Sequence, residues 1–257
     1  MPTMKIADRD LYYEDHGEGD AIMLLHHGFG CTKIWKNIYP ALLEAGYRII
    51  MYDRRGYGRS EKDIDFPDFY ISDQFRAECV KDLTVLVDRL GLKTFHIIGQ
   101  CEGGVVAVDY ACACPEKVKT ITISSTQCYG DVPTSALNRE KFPKAFRELA
   151  PELREKLIDW HGEKYAQPFF DQFRLFGGSY GKDFFDLRPQ LAAITCPFLI
   201  LYPDRSAIFD VEQGLAFYRH LSKGELAVLP KCGHNTYEYE PEEYARHVLK
   251  FFKRNGF

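Results

Sequence analysis

The sequence lacks an excess of charge of either sign. Its 257 residues include 33 lysines and arginines and 37 aspartates and glutamates, which gives a formal net charge of -4 at pH 7. Binding to nucleic acid or to an anionic membrane surface is typical of chains with a strongly basic balance. We therefore expect no nucleic-acid partner and no membrane partner.

Long hydrophobic runs are missing as well. No apolar run approaches the length that spans a bilayer, and the first ten residues lack the uninterrupted apolar stretch of a secretory signal. The eight cysteines are scattered along the chain, unlike the clustered cysteines of a short disulfide-bonded domain. These features favour reduced thiols and a cytoplasmic protein.

Cofactor motifs are also absent. The chain contains neither the Gly-x-Gly-x-x-Gly dinucleotide fingerprint nor a Walker phosphate loop. Cys79, Cys112 and Cys114 lack metal-ligand spacing and are predicted to be small buried hydrophobes. We therefore expect no cofactor and no metal.

What is present is a regular alternation of two kinds of segment. Short apolar runs that predict buried strands lie at 21–26, 47–52, 94–98, 118–124, 198–202 and 225–229. Segments with helical spacing alternate with them, at 35–45, 74–90, 103–113, 211–221 and 241–252. The alternation predicts an α/β fold with a mainly parallel, doubly wound sheet.

The alternation stops between residues 131 and 188. Helix-like segments fill this range, with breaks expected at Pro143, Pro151, Pro168 and Gly177. We therefore predict an α/β core made of residues 1–130 and 189–257, with a helical insertion at 131–188.

Cys101 lies in a segment of the form strand, Gly-x-Cys-x-Gly, helix. A sharp turn of this kind forces its central residue into a strained conformation and lifts that side chain clear of the sheet, provided that Gly99 and Gly103 leave room. The turn also places the thiol at a helix N-terminus, which is expected to lower the thiol pKa. The alternative is an inert core cysteine that merely fits a tight turn.

Two further segments favour the catalytic interpretation. His27-Gly-Phe-Gly follows a strand directly, and the backbone N–H groups of Phe29 and Glu102 could together form an oxyanion hole; the alternative is a turn needed only for chain reversal. His234 follows the last predicted strand and could exchange a proton with Cys101. The other seven histidines lack this placement, and His161 is assigned to a loop or the surface.

These motifs resemble the α/β-hydrolase family, in particular its branch of small esterases, proline iminopeptidases and haloperoxidase-like enzymes. The resemblance runs from about Tyr12 to Phe252 and also includes the stretch Tyr52-Asp-Arg-Arg-Gly-Tyr-Gly-Arg-Ser60. It implies that the insertion is a lid over the active site. The cysteine nucleophile is similar to that of dienelactone hydrolase, whereas the surrounding sequence resembles the lidded esterases; an engineered replacement of serine is the alternative.

The acid of the expected triad is the least certain member. Relatives carry Gly-Asp-x-Asp after the seventh strand, but Ser206 stands here in the position of the acid. Asp204 is the nearest carboxylate, and we choose it as the candidate acid. The alternative is that Asp204 only caps a turn. Asp210 is the next, and a dyad of Cys101 and His234 without an acid is the third possibility.

The predicted function is hydrolysis of a small ester, lactone or thioester through an acyl-enzyme on Cys101, with His234 as general base. Aromatic residues of the insertion could line an apolar pocket for the acyl group. Two alternatives stay open: an acyltransferase that uses the same acyl-cysteine, and a ligand-binding, receptor-like hydrolase with little turnover. The sequence leaves the oligomeric state open.

Overall fold

The computed structural model describes residues 3–6, 8–62, 66–181 and 184–257. Eight strands form one sheet in the order β1-β2-β4-β3-β5-β6-β7-β8. They are β1 (Thr3–Ile6), β2 (Arg9–His16), β3 (Ala21–Leu25), β4 (Arg48–Tyr52), β5 (Phe95–Gln100), β6 (Val118–Ser124), β7 (Phe198–Pro203) and β8 (Gly224–Leu229). The β1–β2 and β2–β4 pairs are antiparallel, and every pair from β4 to β8 is parallel. The predicted parallel sheet is confirmed.

Helices cover the sheet and connect its strands. They are α1 (Tyr39–Glu44), α2 (Phe66–Ile71), α3 (Phe75–Arg89), α4 (Glu102–Ala113), α5 (Thr134–Lys141), α6 (Pro151–His161), α7 (Glu163–Phe176), α8 (Arg188–Leu191), α9 (Glu212–His220), α10 (Thr236–Tyr239) and α11 (Pro241–Arg254). No helix among the described residues is both long and apolar enough to cross a membrane.

Both faces of the sheet are buried, because side chains alternate along each strand. In β3, Met23 and Leu25 join the apolar cluster that includes α3 and α4, whereas Ile22 and Leu24 join the cluster that includes α11. All four side chains are fully buried. Burial of one such side chain contributes roughly 1.5–3 kcal/mol to the stability of the fold. The buried strands therefore form a stable core that positions the loops at their carboxyl ends.

Two helical segments differ from the sequence prediction. The helix expected at 35–45 is a 3₁₀ segment (Thr32–Asn37) followed by the short α1, because Pro40 fits the first turn of a helix but cannot continue one. Conversely, α7 runs through Pro168, where a break was predicted. Phe169, Phe170 and Phe173 are buried on this helix, and their packing offsets a proline cost of about 3 kcal/mol.

The chain between β6 and β7 contains α5, α6, α7 and α8, with α5 to α7 inside the range 131–188. We call this range the inserted helical segment; residues 182–183 of it lie outside the described residues. It follows the carboxyl end of β6, so its helices begin at the same edge of the sheet as the loops that carry Cys101 and His234.

Candidate active site

Cys101 occupies the sharp turn between β5 and α4. Its φ is 51° and its ψ is -114°, a conformation that few residues other than glycine adopt and that costs about 1–3 kcal/mol. A Cβ on Gly99 would lie 2.5 Å from the backbone oxygen of Gly103, and a Cβ on Gly103 would overlap the backbone oxygen of Leu25. The Cys101 amide is held by the Ser124 carbonyl oxygen at 2.8 Å. The two small neighbours are therefore required for the turn.

The Cys101 thiol is neutral at rest. Burial raises its pKa to about 12, and the nearby Glu102 carboxylate acts in the same direction. Hydrogen bonds from the backbone N–H groups of Glu102 and Gly28, together with the charge of Arg54, oppose this rise. From the sequence, the helix N-terminus is expected to lower the thiol pKa. That expectation is wrong in sign, because desolvation outweighs the backbone donors.

The backbone N–H groups of Gly28 and Glu102 are the hydrogen-bond donors that lower the pKa of the Cys101 thiol. Glu102 is one of the two predicted oxyanion donors. The other predicted donor, the Phe29 N–H, is instead directed to Nδ1 of His27 at 3.1 Å. The backbone donors that act on the Cys101 thiol are therefore Gly28 and Glu102, whereas the Phe29 N–H has another partner.

His234 lies on the loop between β8 and α10, where the sequence analysis placed it. Its backbone oxygen accepts hydrogen bonds from Gln100 Nε2 at 2.8 Å and from Ser125 Oγ at 2.6 Å, which tie this loop to the ends of β5 and β6. Its Nδ1 lies 3.1 Å from Ser206 Oγ. Burial lowers the pKa of His234 to about 4, so the ring is neutral at pH 7.

Asp204, the predicted acid, is not directed to His234. Its Oδ1 accepts the backbone N–H of Cys232 at 3.0 Å, and backbone hydrogen bonds help to hold its pKa below the ordinary value against partial desolvation. Asp210 accepts a backbone N–H at 3.2 Å at the start of α9. Both carboxylates stabilise turns, and Ser206 takes the place beside His234 that the prediction gave to Asp204.

A buried cluster around Glu102 has no counterpart in the sequence analysis. The Glu102 carboxylate, 3 % exposed, pairs with Arg54 Nη2 at 2.7 Å. It also accepts hydrogen bonds from the hydroxyls of Tyr57 at 2.8 Å, Tyr70 at 3.0 Å and Tyr180 at 3.4 Å. A signal was available: a glutamate next to a buried turn needs a partner for its charge. Its tyrosine partners come from distant segments that spacing does not connect.

His161 is a further residue near the cavity whose position differs from the prediction. It ends α6 and is buried, contrary to the surface position expected for it. Its Nδ1 accepts the Gly58 N–H at 3.1 Å, so its Nε2 donates to the Phe29 carbonyl oxygen at 2.8 Å. Burial lowers its pKa to about 3. This neutral ring fastens the inserted helical segment to the loops after β3 and β4.

A cavity of about 580 Å³ opens above the nucleophile. Cys101, His234, Gly28 and Glu102 line one wall of it. The opposite walls are mainly apolar side chains of the inserted helical segment: Leu137, Phe142, Leu149, Leu153, Leu157, Trp160, Phe170 and Phe173. No cluster of three histidine, cysteine, aspartate or glutamate side chains within the described ranges could hold a metal ion. The cavity suits a small, mainly apolar molecule.

A family model described as alpha/beta hydrolase fold matches residues 20–156. Among curated proteins, a putative carbamate hydrolase RutD of Azorhizobium caulinodans is 34% identical over 123 residues, which cover 48% of this chain and 43% of that protein. The 2-hydroxy-6-oxo-6-phenylhexa-2,4-dienoate hydrolase of Comamonas testosteroni is 23% identical, with 97% of this chain and 95% of that protein covered.

Among solved structures, a meta-cleavage product hydrolase of Pseudomonas fluorescens IP01 superposes with a TM-score of 0.80 at 19% identity. The superposition covers 99% of this chain and 98% of that chain. At this identity the likeness shows the fold.

Proposed function

Because this chain belongs to the alpha/beta hydrolase family, we propose that it hydrolyses a small carbonyl compound through a covalent acyl intermediate on Cys101. One observation carries the proposal: a thiol held on a strained turn, with two backbone N–H groups beside its sulfur, lines an apolar cavity. Strain of this kind persists where the surrounding structure enforces it, and it concentrates at sites of chemistry.

The reaction has two halves. In the first, the Cys101 sulfur bonds to the carbonyl carbon, the thiol proton passes to His234, and the resulting oxyanion faces the N–H groups of Gly28 and Glu102. Collapse breaks the bond to the leaving group, which takes the proton from His234. In the second, water attacks the thioester and gives a proton to His234; the cysteine sulfur then leaves and recovers that proton.

The cavity supports an ester, lactone or thioester with an apolar or aromatic acyl group as substrate. Its aromatic walls, Phe142, Trp160, Phe170 and Phe173, would enclose the acyl group. The relatives' names refer to a carbamate and to a phenyl-substituted oxo-dienoate, which are small carbonyl compounds with a different bond to be cleaved. In this proposal the inserted helical segment is a lid that excludes water.

The test is the intact mass of the protein after mixing with p-nitrophenyl esters of apolar acids. We expect a transient mass increase of one acyl group that maps to Cys101, together with release of p-nitrophenol. Cys101→Ala abolishes both. Cys112→Ala is the matched control, since Cys112 is a half-buried thiol outside the cavity. An adduct that persists in Cys101→Ala overturns the proposal.

A receptor-like protein with little turnover is the second candidate, and Ser206 beside His234 favours it. A neutral serine stabilises an imidazolium less than a carboxylate does. Tight binding of an apolar acyl compound, with neither adduct nor hydrolysis product, would support this candidate over the first.

A further inference from the structure

Ser206 makes three hydrogen bonds through one oxygen. Its Oγ lies 3.2 Å from the backbone nitrogen of Ile208 and 3.1 Å from that of Phe209. The third partner is Nδ1 of His234, at 3.1 Å. A serine hydroxyl has one proton to donate and two lone pairs that accept. Its three contacts therefore use its full capacity, and each contact has a defined direction.

The direction of the bond to His234 follows from the other two bonds. Backbone N–H groups can only donate, so Ile208 and Phe209 occupy both lone pairs of Ser206 Oγ. The hydroxyl proton is left for His234, whose Nδ1 must then be the unprotonated nitrogen. A neutral imidazole carries its single proton on the other nitrogen, Nε2.

We infer that Ser206 is a positioning residue that holds His234 in the tautomer with its proton on Nε2, the nitrogen left for partners in the cavity. The consequence for catalysis rests on the proposed function. A triad carboxylate selects the opposite tautomer, in which Nε2 can accept the proton of the nucleophile. In this tautomer Nε2 of His234 is a donor at rest and cannot accept a proton from Cys101. His234 becomes a base at Nε2 only when it loses that proton to water and takes one up at Nδ1. Ser206 must then turn its hydroxyl away and release a backbone amide, so that its oxygen can accept from Nδ1.

The surroundings of His234 do not replace the missing carboxylate. Within the described part of the chain, no carboxylate hydrogen-bonds or ion-pairs with its ring. The Phe209 ring packs edge-on at 5.7 Å, and Arg205 lines the same cavity and pairs with Asp204 at 3.5 Å. His27, on the neighbouring loop, has a pKa that burial and the proximity of His234 lower. These neighbours favour a neutral His234.

Two variants separate the tautomer from the turn. Ser206→Asp and Ser206→Asn both present an oxygen to the amides of Ile208 and Phe209, as aspartate and asparagine do in Asx turns. The asparagine NH2 group can still donate to His234 Nδ1, whereas the aspartate carboxylate accepts from it. The two variants thus keep the loop and differ in the direction of one hydrogen bond.

The first readout is the tautomer of His234, from the 15N chemical shifts of its ring assigned with a His234→Asn spectrum. We expect Nε2–H in the wild type and in Ser206→Asn, and Nδ1–H in Ser206→Asp. Nδ1–H in the wild type, or one tautomer in both variants, overturns the inference. This readout needs no substrate.

The second readout is the pH dependence of acylation by a p-nitrophenyl ester. We expect the wild-type rate to rise with pH through the neutral range, as the thiolate fraction grows. The Ser206→Asp rate should level off, and at pH 7 exceed that of Ser206→Asn by about tenfold or more, since the wrong tautomer costs a serine triad about 10⁴. Equal rates and equal profiles overturn the catalytic role. If acylation survives in Cys101→Ala, the proposed function fails while the tautomer assignment stands on the spectra.

Discussion

At the scale of single residues, a cysteine nucleophile at Cys101 is compatible with a neutral serine, Ser206, beside His234. A serine nucleophile depends wholly on its base, whereas a small thiolate fraction is already a strong nucleophile. A neutral third residue is therefore less costly to a cysteine enzyme. The chemistry would be slow at neutral pH, because burial keeps the thiol protonated.

The residues nearest in sequence to a motif could be predicted, and those placed by packing could not. Cys101, Glu102 and His234 follow from short motifs next to predicted strands, because a turn at a strand end is local chemistry. Gly28 rather than Phe29 is the second backbone donor because of the orientation of a single peptide group, which the sequence does not reveal. The role of Ser206 depends on the hydrogen bonds that its oxygen accepts from the backbone amides of Ile208 and Phe209.

Glu102→Gln should strongly destabilise the protein. The substitution leaves the Arg54 guanidinium, 1 % exposed, without its carboxylate. Breaking a buried ion pair from one side costs about 3–5 kcal/mol. Urea unfolding at pH 7 should show a free energy of unfolding lower by that amount. Glu243→Gln, which breaks an exposed pair with Arg246, is the control and should change little. An equal, small effect of both would contradict the charge assignment.

At the scale of elements, tertiary packing determines the structure wherever it differs from what the local apolar pattern predicts. The sequence pattern located α3, α4 and α11 to within a few residues. One apolar face marks α3 and α11, whereas α4 is apolar and buried along most of its length. The pattern failed at α7, where buried aromatic rings keep a helix intact through Pro168. It also missed α2 and α10, two helices of 6 and 4 residues that are too short for a periodic signal.

His161→Leu should loosen the inserted helical segment. It leaves the Gly58 N–H and the Phe29 carbonyl unpaired, at about 1–3 kcal/mol for each buried group. Hydrogen–deuterium exchange should become faster in α6 and at Gly58, while β5 keeps its protection. Glu155→Ala, an exposed change on the same helix, serves as control. Unchanged exchange in α6 would show that other contacts hold the segment.

At the scale of the whole molecule, buried neutral histidines make stability depend on pH. Burial lowers the pKa of His161 to about 3 and those of His96 and His234 to about 4, and it places those of His26 and His27 well below the ordinary value. The unfolded chain takes up these protons below about pH 6.5. The folded protein does so only near pH 4 or lower, so stability is lost as pH falls through this window.

The free energy of unfolding, measured by urea titration, should therefore fall steeply between pH 6.5 and pH 4, by up to about 1.4 kcal/mol per pH unit for each buried histidine. Asp82, whose pKa burial raises to about 6, and Asp53, whose pKa burial also raises, act in the opposite direction, but they are two groups against the five buried histidines. His96→Phe keeps a ring against Phe252 and should reduce the slope by the equivalent of one proton. A slope unchanged in that variant would contradict the assignment of His96 as neutral.

The division of the cavity wall has a consequence for how such an enzyme diversifies. The groups proposed to meet the reacting carbon stand on loops at the ends of β3, β5 and β8, whereas Phe142, Trp160, Phe170 and Phe173 of the cavity wall belong to the inserted helical segment. In the proposed function, the reacting groups and much of the apolar cavity wall thus belong to different parts of the sequence. We expect that replacing the stretch between β6 and β7 with that of a relative changes which molecules fit the cavity and leaves the proposed reacting groups in place. The new stretch would need a hydrogen-bond partner for Gly58 and Phe29, as His161 is here.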